Sequence, residues 1–267
     1  MNVLHISDIH FRRQYEQGDN YKNILCTMQN PLLSLEICLL HMKKMKRTPD
    51  LIIITGDLTD DGEAEDYKML RLFFQEKIPD IPIVVTMGNH DNKAGFRKGW
   101  LGCEPSREDY FADFSIQGIR VLSFDSAKQG NPNGRITQIQ MKWLKDRLKE
   151  EQHQPVILVT HHHLIDDHEG IPAVSYPKEF AKMIRDSNIF CILCGHTHHM
   201  FSGFFEDQLY YTSDGMSFYG EDLEQGRVRF KEKFGYNFYQ IEEKHVVHFS
   251  SETFFTGRTL GEFRWEA

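Results

Sequence analysis

Apolar and polar positions follow two rhythms along this chain. Six runs are nearly continuous in apolar character: NVLHIS (2–7), DLIIIT (50–55), IPIVVTM (81–87), IRVLSF (119–124), PVILVT (155–160) and IFCILC (189–194). Runs of that length and composition predict strands buried on both faces. Between them, apolar residues recur at three- and four-residue spacing, which predicts helices over 31–47, 62–77, 137–151 and 177–188. Pro31 opens the first of these and basic residues close it, while Thr137 stands where a cap is needed for the third. After Gly203 the texture changes. QLYYTS (208–213), RVRF (227–230), YNFYQIE (236–242) and HVVHFSS (245–251) alternate like antiparallel strands, with no helical pattern between them. The expected class is α/β, with residues 1–267 as a single domain whose strand-rich C-terminal part, from about 203, completes the sheets.

The polar residues fall in an uneven way. Five of the predicted strands run directly into groups of one chemical kind: Asp8-Ile9-His10, Gly56-Asp57, Gly88-Asn89-His90-Asp91, His161-His162-His163 and Gly195-His196-Thr197-His198. In an open α/β sheet, ligands collect beyond the carboxyl ends of the strands. If these strands are neighbours, the five clusters share one site. Imidazole, carboxylate and amide oxygen are ligands of Zn, Fe, Mn and similar ions. Asp8 and His10, like His196 and His198, are two apart, so in extended chain each pair faces one side. The glycines before Asp57, Asn89 and His196 allow a sharp turn where each strand stops. Singly, each motif is also what a surface turn or a solvated loop looks like; together, each at a strand end, they point to a metal site.

Composition narrows the field. The chain has 267 residues, 40% hydrophobic and 26% charged, with a formal charge of −8. That balance disfavours a nucleic-acid partner, which needs a basic face. No apolar run approaches the roughly 20 residues that span a bilayer, and the N-terminal stretch is broken by His5 and Asp8, so neither a membrane partner nor a signal peptide is expected. The five cysteines lack framework spacing and predict reduced thiols in a cytoplasmic setting. Cys191 and Cys194 resemble a metal-binding pair, but three positions apart on a strand they face opposite sides.

The order Asp-x-His, Gly-Asp, Gly-Asn-His-Asp, His, Gly-His-x-His resembles the signature of the calcineurin-like metallophosphoesterases, from residue 3 to about 215. The segment Gly56-Asp57-Leu58-Thr59-Asp60-Asp61-Gly62 and the stretch from Gln140 to Leu148 resemble the branch holding cyclic-nucleotide phosphodiesterases and glycerophosphodiesterases. The resemblance implies a four-layer α/β/β/α sandwich and two divalent or trivalent metal ions (Mn, Fe or Zn). It implies one ion on Asp8, His10, Asp57 and His198, and a second on Asp57, Asn89, His161 and His196, with His162 an alternative to His161. It further implies a small-molecule phosphodiester as substrate, attacked by a hydroxide bridging the ions, with His90 near the leaving group and Asp60 orienting it. Where related protein phosphatases carry an arginine this chain has Asp61, which repels a monoester dianion more than a diester. The alternatives are a nuclease or nucleotide pyrophosphatase of the same superfamily, or a metal-binding scaffold without catalysis. His162, His163, His168 and His199 are candidate supporting or substrate contacts. Phe96, Trp100, Tyr110, Phe111 and Tyr176, in the segments that follow the third and fourth clusters, are candidates to stack on a nucleobase or to pack against the sheet.

Overall fold

A computed structural model describes residues 1–128, 131–150, 152–166 and 170–264. Its strands are β1 (Asn2–Ile6), β2 (Leu51–Ile54), β3 (Ile83–Val85), β4 (Phe111–Ile116), β5 (Ile119–Phe124), β6 (Val156–Val159), β7 (Ile189–Cys194), β8 (Phe201–Phe205), β9 (Gln208–Thr212), β10 (Tyr219–Leu223), β11 (Arg227–Glu242) and β12 (His245–Arg264). Helices are α1 (Asn20–Thr27), α2 (Pro31–Lys44), α3 (Ala64–Lys77), α4 (Lys93–Phe96), α5 (Gln138–Glu150) and α6 (Glu179–Arg185).

Two six-stranded sheets stack face to face. One has the order β10-β11-β1-β2-β3 with β12 on the remaining side of β11; the other has the order β4-β5-β6-β7-β9-β8. The layer between them is apolar: Val3, Leu51, Ile53 and Val84 meet Val121, Ile157, Val159 and Leu193. On the outer face of the first sheet, Leu4, Ile52 and Ile54 pack against Leu35, Cys38 and Met42 of α2 and Leu70 and Phe74 of α3. On the outer face of the second, Leu122, Leu158 and Ile192 pack against Leu144 and Leu148 of α5 and Phe180 and Ile184 of α6. This is the expected α/β/β/α sandwich. Because β1, β2 and β5–β7 are buried on both sides, alternation is lost and their sequences read as unbroken apolar runs. Cys191 belongs to the inner layer and Cys194 to an outer one, so the two thiols do face opposite ways.

Local chemistry accounts for the helix starts. Asn30 caps α2 by accepting from the Leu32 amide, with Pro31 at the first helical position. Thr137 and Gln140 form a reciprocal capping box on α5: the Gln140 amide donates to Thr137 Oγ1, and the Thr137 amide donates to Gln140 Oε1. The expected end of that helix, residue 151, lies outside the described residues. The expected RVRF and YNFYQIE strands are one strand, β11, and β12 runs thirteen residues beyond the expected HVVHFSS. β11 pairs with β1 through Asn237–Gln240, so the strand-rich C-terminal part extends the first sheet.

Side-chain bonds join the sheets where the polar strand ends meet. Ser123 Oγ donates to the Val85 carbonyl at 2.6 Å, and Thr86 Oγ1 to the Phe124 carbonyl at 3.2 Å. They tie β3 to β5, one strand from each sheet, beside the site.

Candidate metal centre

All five strand-end clusters converge. The strand pairing of β1 with β2 continues into the loops as backbone bonds, from Asp8 N to Gly56 O (3.1 Å) and from His10 N to Asp57 O (2.9 Å). At the other sheet, the Gly195 amide donates to the His161 carbonyl. The Asp8–His10 and His196–His198 pairs converge, but not through extended chain. Asp8, His10, Asp57, His196 and His198 all have φ between 48° and 73°. Left-handed backbone at non-glycine residues costs about 1–3 kcal/mol per residue and gathers at functional sites. Of the three glycines expected to turn, only Gly56 has positive φ. Gly88 and Gly195 serve close approach instead. A Cβ on Gly88 would lie 2.0 Å from Asp57 Oδ1, and one on Gly195 would lie 1.9 Å from Ser7 Oγ.

Two sets of ligand-type atoms share Asp57. In the first, His10 Nε2 lies 3.2 Å from His198 Nε2, His198 Nε2 lies 3.3 Å from Asp8 Oδ1, and His10 Nε2 lies 3.7 Å from Asp57 Oδ2. In the second, His161 Nε2 lies 3.4 Å from Asp57 Oδ2 and 3.1 Å from Asn89 Oδ1. The His196 ring sits 5.0 Å from the His161 ring.

The ring protons reveal what these sets lack. A carbonyl can only accept, so the ring nitrogen facing one carries the hydrogen. His198 Nδ1 donates to the Phe218 carbonyl at 2.6 Å, and His161 Nδ1 to the Thr55 carbonyl at 2.7 Å. Each ring then turns Nε2 inward, the nitrogen that a neutral imidazole would offer to a metal ion, as when carbonyls behind the ligands fix a metal-binding tautomer. Asp8 Oδ1 is buried, makes no hydrogen bond, and faces His198 Nε2. Asp57 is 1% exposed and Asp8 is 0% exposed, and buried carboxylates need compensating charge. Converging ring nitrogens beside two buried carboxylates fit cations. Electrostatics agree. Burial by itself lowers the His161 pKa, but Asp57, Asp8 and the Thr55 carbonyl outweigh it and lift the value to about 9. Burial opposes ionisation of Asp57, yet the neighbouring His161 and His90 hold its pKa well below the usual carboxylate range.

The profile of the family described as calcineurin-like phosphoesterase matches residues 1–200. The chain belongs to the calcineurin-like phosphoesterases. These are hydrolases of phosphoric ester bonds. A probable glycerophosphodiester phosphodiesterase, GpdQ, of Arcobacter nitrofigilis is 28% identical over 75% of this chain and 72% of its own length. A cAMP/cGMP dual specificity phosphodiesterase of Mycobacterium tuberculosis is 29% identical over 74% of this chain. This second match spans 61% of the relative's length, less than two thirds. A crystal structure of a dimetal phosphatase from Danio rerio superposes with a TM-score of 0.58 at 13% identity, over 86% of this chain and 95% of that one, which supports the fold.

Within this calcineurin-like site, His90 and Asp60 stand together. His90 is lifted to about 9: burial lowers it, but Asp57 and the Asp60 contact outweigh burial. Arg12 Nη1 donates to the backbone carbonyls of Asp60 and Asp61, which fixes the loop carrying Asp60. His162 is in a different position from His161. Its Nε2 donates to the Pro132 carbonyl at 3.0 Å and its Nδ1 meets Ser126 Oγ at 2.8 Å, so both nitrogens are engaged away from Asp57 and Asn89. His163 Nε2 donates to the Ile171 carbonyl and His199 Nε2 to the Gly220 carbonyl. His168 lies outside the described residues.

A cavity of about 350 Å³ opens onto the cluster, lined by His10, Asp57, Asn89, His90, His196 and His198 on one side. None of the five proposed stacking aromatics lines it. Phe96 and Trp100 are buried in the outer core, Tyr110 packs on Phe96, Phe111 stacks on Trp143, and Tyr176 packs on Phe180. Tyr21, Phe218 and Phe230 line it instead. Tyr21 comes from α1, which has only eight residues, and its hydroxyl donates to Asp60 Oδ1 at 3.2 Å. Asp91 also went without a role. It accepts from the Gly88 and Thr59 amides and from the Tyr67 hydroxyl, bracing the loop of Asn89 against that of Asp57.

Proposed function

We propose that this chain hydrolyses small-molecule phosphodiesters at a dinuclear metal centre. Asp8, His10, Asp57 and His198 would hold one ion, and Asn89, His161 and His196 would hold the other together with Asp57. The mixed nitrogen and oxygen donors suit Mn, Fe or Zn, in divalent or trivalent form. Two such cations lower the pKa of water and offset charge on a phosphoryl group. The observation carrying this reading is the position of Asp57 Oδ2, within 3.7 Å of His10 Nε2 and 3.4 Å of His161 Nε2, between the two sets.

The remaining roles belong to the chain. His90, held through Nδ1 by Asp60, presents Nε2 as the nitrogen that gives a proton to the departing alkoxide. Asp60, which is not among the metal-type ligands, favours the protonated ring, so this imidazole can give up its proton as charge builds on the leaving oxygen. No lysine or arginine lines the cavity among the described residues. A monoester dianion gains no side-chain cation there, which favours a diester monoanion. Asp61, beside the site, works in the same direction. A nuclease would need a basic track for a polyanion. A scaffold that had lost catalysis would have no need of an intact His90–Asp60 pair.

Residues 1–267 act as one domain in this reading, because β11 belongs to the same sheet as β1. The five cysteines are free thiols, which suits a reducing compartment such as the cytoplasm. No single helix among the described residues is long and apolar enough to cross a membrane. The test compares kcat/KM of the Mn²⁺-loaded protein for bis(p-nitrophenyl) phosphate and p-nitrophenyl phosphate. The diester should be cleaved faster; a clear preference for the monoester would overturn the assignment.

A further inference from the structure

The cavity has two unlike walls. Besides the histidines and Asp57, the lining includes Ile171, Pro172, Phe218, Val228 and Phe230, all apolar. Phe218, Val228 and Phe230 lie beyond residue 200, where the match to the family ends. The wall thus combines the 171–172 segment with the loop before β10 and with β11. Its construction is deliberate in the physical sense that each ring is backed. Phe230 stacks on Phe263 of β12 with centroids 5.2 Å apart and planes 17° from parallel. Phe218 meets Phe230 edge-on at 5.7 Å, and on its other side its ring lies 4.7 Å from that of His198. Gly220 leaves room between them, since a Cβ there would lie 2.9 Å from Val228 Cγ1. The long β11–β12 hairpin therefore carries an apolar surface to within one ring of the metal-type ligands.

An apolar wall of this size gains nothing from a small polar alcohol such as glycerol, but removes an aryl or branched apolar group from water. The geometry points to phosphodiester monoanions that carry at least one ring-sized apolar or aryl alcohol, seated against Val228, Phe230 and Ile171, as the preferred ligands of this site. The inference rests on the phosphodiesterase reading and narrows it.

Diphenyl phosphate and dimethyl phosphate test it, because both are diester monoanions and differ only in the groups that would meet the wall. Affinity is read directly by calorimetry on Mn²⁺-loaded protein and again as competition against bis(p-nitrophenyl) phosphate. The wild type should bind diphenyl phosphate at least tenfold more tightly, within the range of about 10–200-fold that apolar pocket contacts supply. Val228→Asn and Ile171→Asn, on separate elements and away from the metal-type ligands, should each cut that preference about fivefold while leaving dimethyl phosphate affinity within twofold. Equal affinity for the two anions, or variants that weaken both anions alike, would overturn the inference. Failure of the phosphodiesterase reading is distinguishable: bis(p-nitrophenyl) phosphate would not be cleaved, whatever the binding data show.

Discussion

His90 Nδ1 sits 2.5 Å from Asp60 Oδ1. A carboxylate only accepts, so the hydrogen lies on Nδ1 and the opposite nitrogen, Nε2, is the one available to a substrate. The pair is therefore a positioned acid: Asp60 orients the ring through Nδ1, while the His90 backbone amide donates to Asp57 Oδ1 at 2.8 Å. Replacing His90 with Ala should lower kcat by about 10²–10⁴-fold with metal content unchanged, and Asp60→Asn should do so less severely. Rate measurements alongside metal analysis check this. Loss of metal in step with activity would mean that His90 acts on the centre and not on the leaving group.

The two adjacent histidines after β6 should behave differently. His161 Nε2 faces Asp57 and Asn89, whereas both nitrogens of His162 are bonded elsewhere. His161→Ala should lose one bound ion and more than about 100-fold in activity. His162→Asn should keep both ions and lose no more than the 10–100-fold typical of outer contacts. Metal counting on the two variants decides it; the opposite order would exchange their roles.

Gly88 makes a prediction that no contact of its own suggests. A methyl group there would lie 2.0 Å from Asp57 Oδ1 and 2.4 Å from the Asp57 amide, and backbone cannot move aside as a flexible side chain can. Gly88→Ala should displace Asp57 and weaken both ions together, while Gly102→Ala, which strains a left-handed turn (φ 69°) but meets nothing within 4 Å, should leave ion binding unchanged. Ion titration of the two variants separates these outcomes. Intact binding by Gly88→Ala would show that the site has slack that the geometry denies.

His5 provides a test by pH. It is buried between the sheets, with Nδ1 bonded to the Tyr239 hydroxyl and Nε2 to Thr55 Oγ1, and burial lowers its pKa from 6.5 to about 3. Below pH 6.5 the unfolded chain takes up a proton at this residue that the folded chain refuses. Stability from His5 is therefore full above about 6.5 and falls as pH drops towards 3, by a few kcal/mol on the order set by about 1.4 kcal/mol per pKa unit. His5→Gln should be less stable at pH 8 but should lose stability more slowly on acidification. Urea titrations across this range check the sign; parallel curves for the two proteins would contradict it.

The parts that were legible in the sequence share a cause. A strand buried on both faces must be apolar throughout, so a polar cluster at its end stands out, and Asp8, Asp57, Asn89, His161 and His196 were visible for that reason. The α/β class followed from the same runs, whereas the α/β/β/α layer order was implied by the family resemblance. What escaped notice depends on long-range contact. Tyr21 sits on an eight-residue helix with little periodicity, and only the fold brings it to Asp60. Phe218 lies in a loop, and its role rests on a carbonyl that orients His198. Strand β4 has half-exposed residues throughout and pairs at the edge of its sheet, so it lacks the apolar run that marked its neighbours. For Phe96 and Trp100 residue type favours a core over a ligand, and packing against Tyr67 and Phe74 places both in the core. The Asp8–His10 spacing suggests extended chain, but left-handed backbone turns both side chains inward.

The central claim is that Asp57 is shared by two ions. Chelator-stripped protein, titrated with Mn²⁺ and followed by calorimetry and by metal analysis after gel filtration, tests it most directly. The account predicts two ions per chain in the wild type, with hydrolysis of bis(p-nitrophenyl) phosphate absent before the titration, and loss of both ions in Asp57→Ala. A single ion at saturation, or diester hydrolysis that persists in the stripped protein, would contradict it.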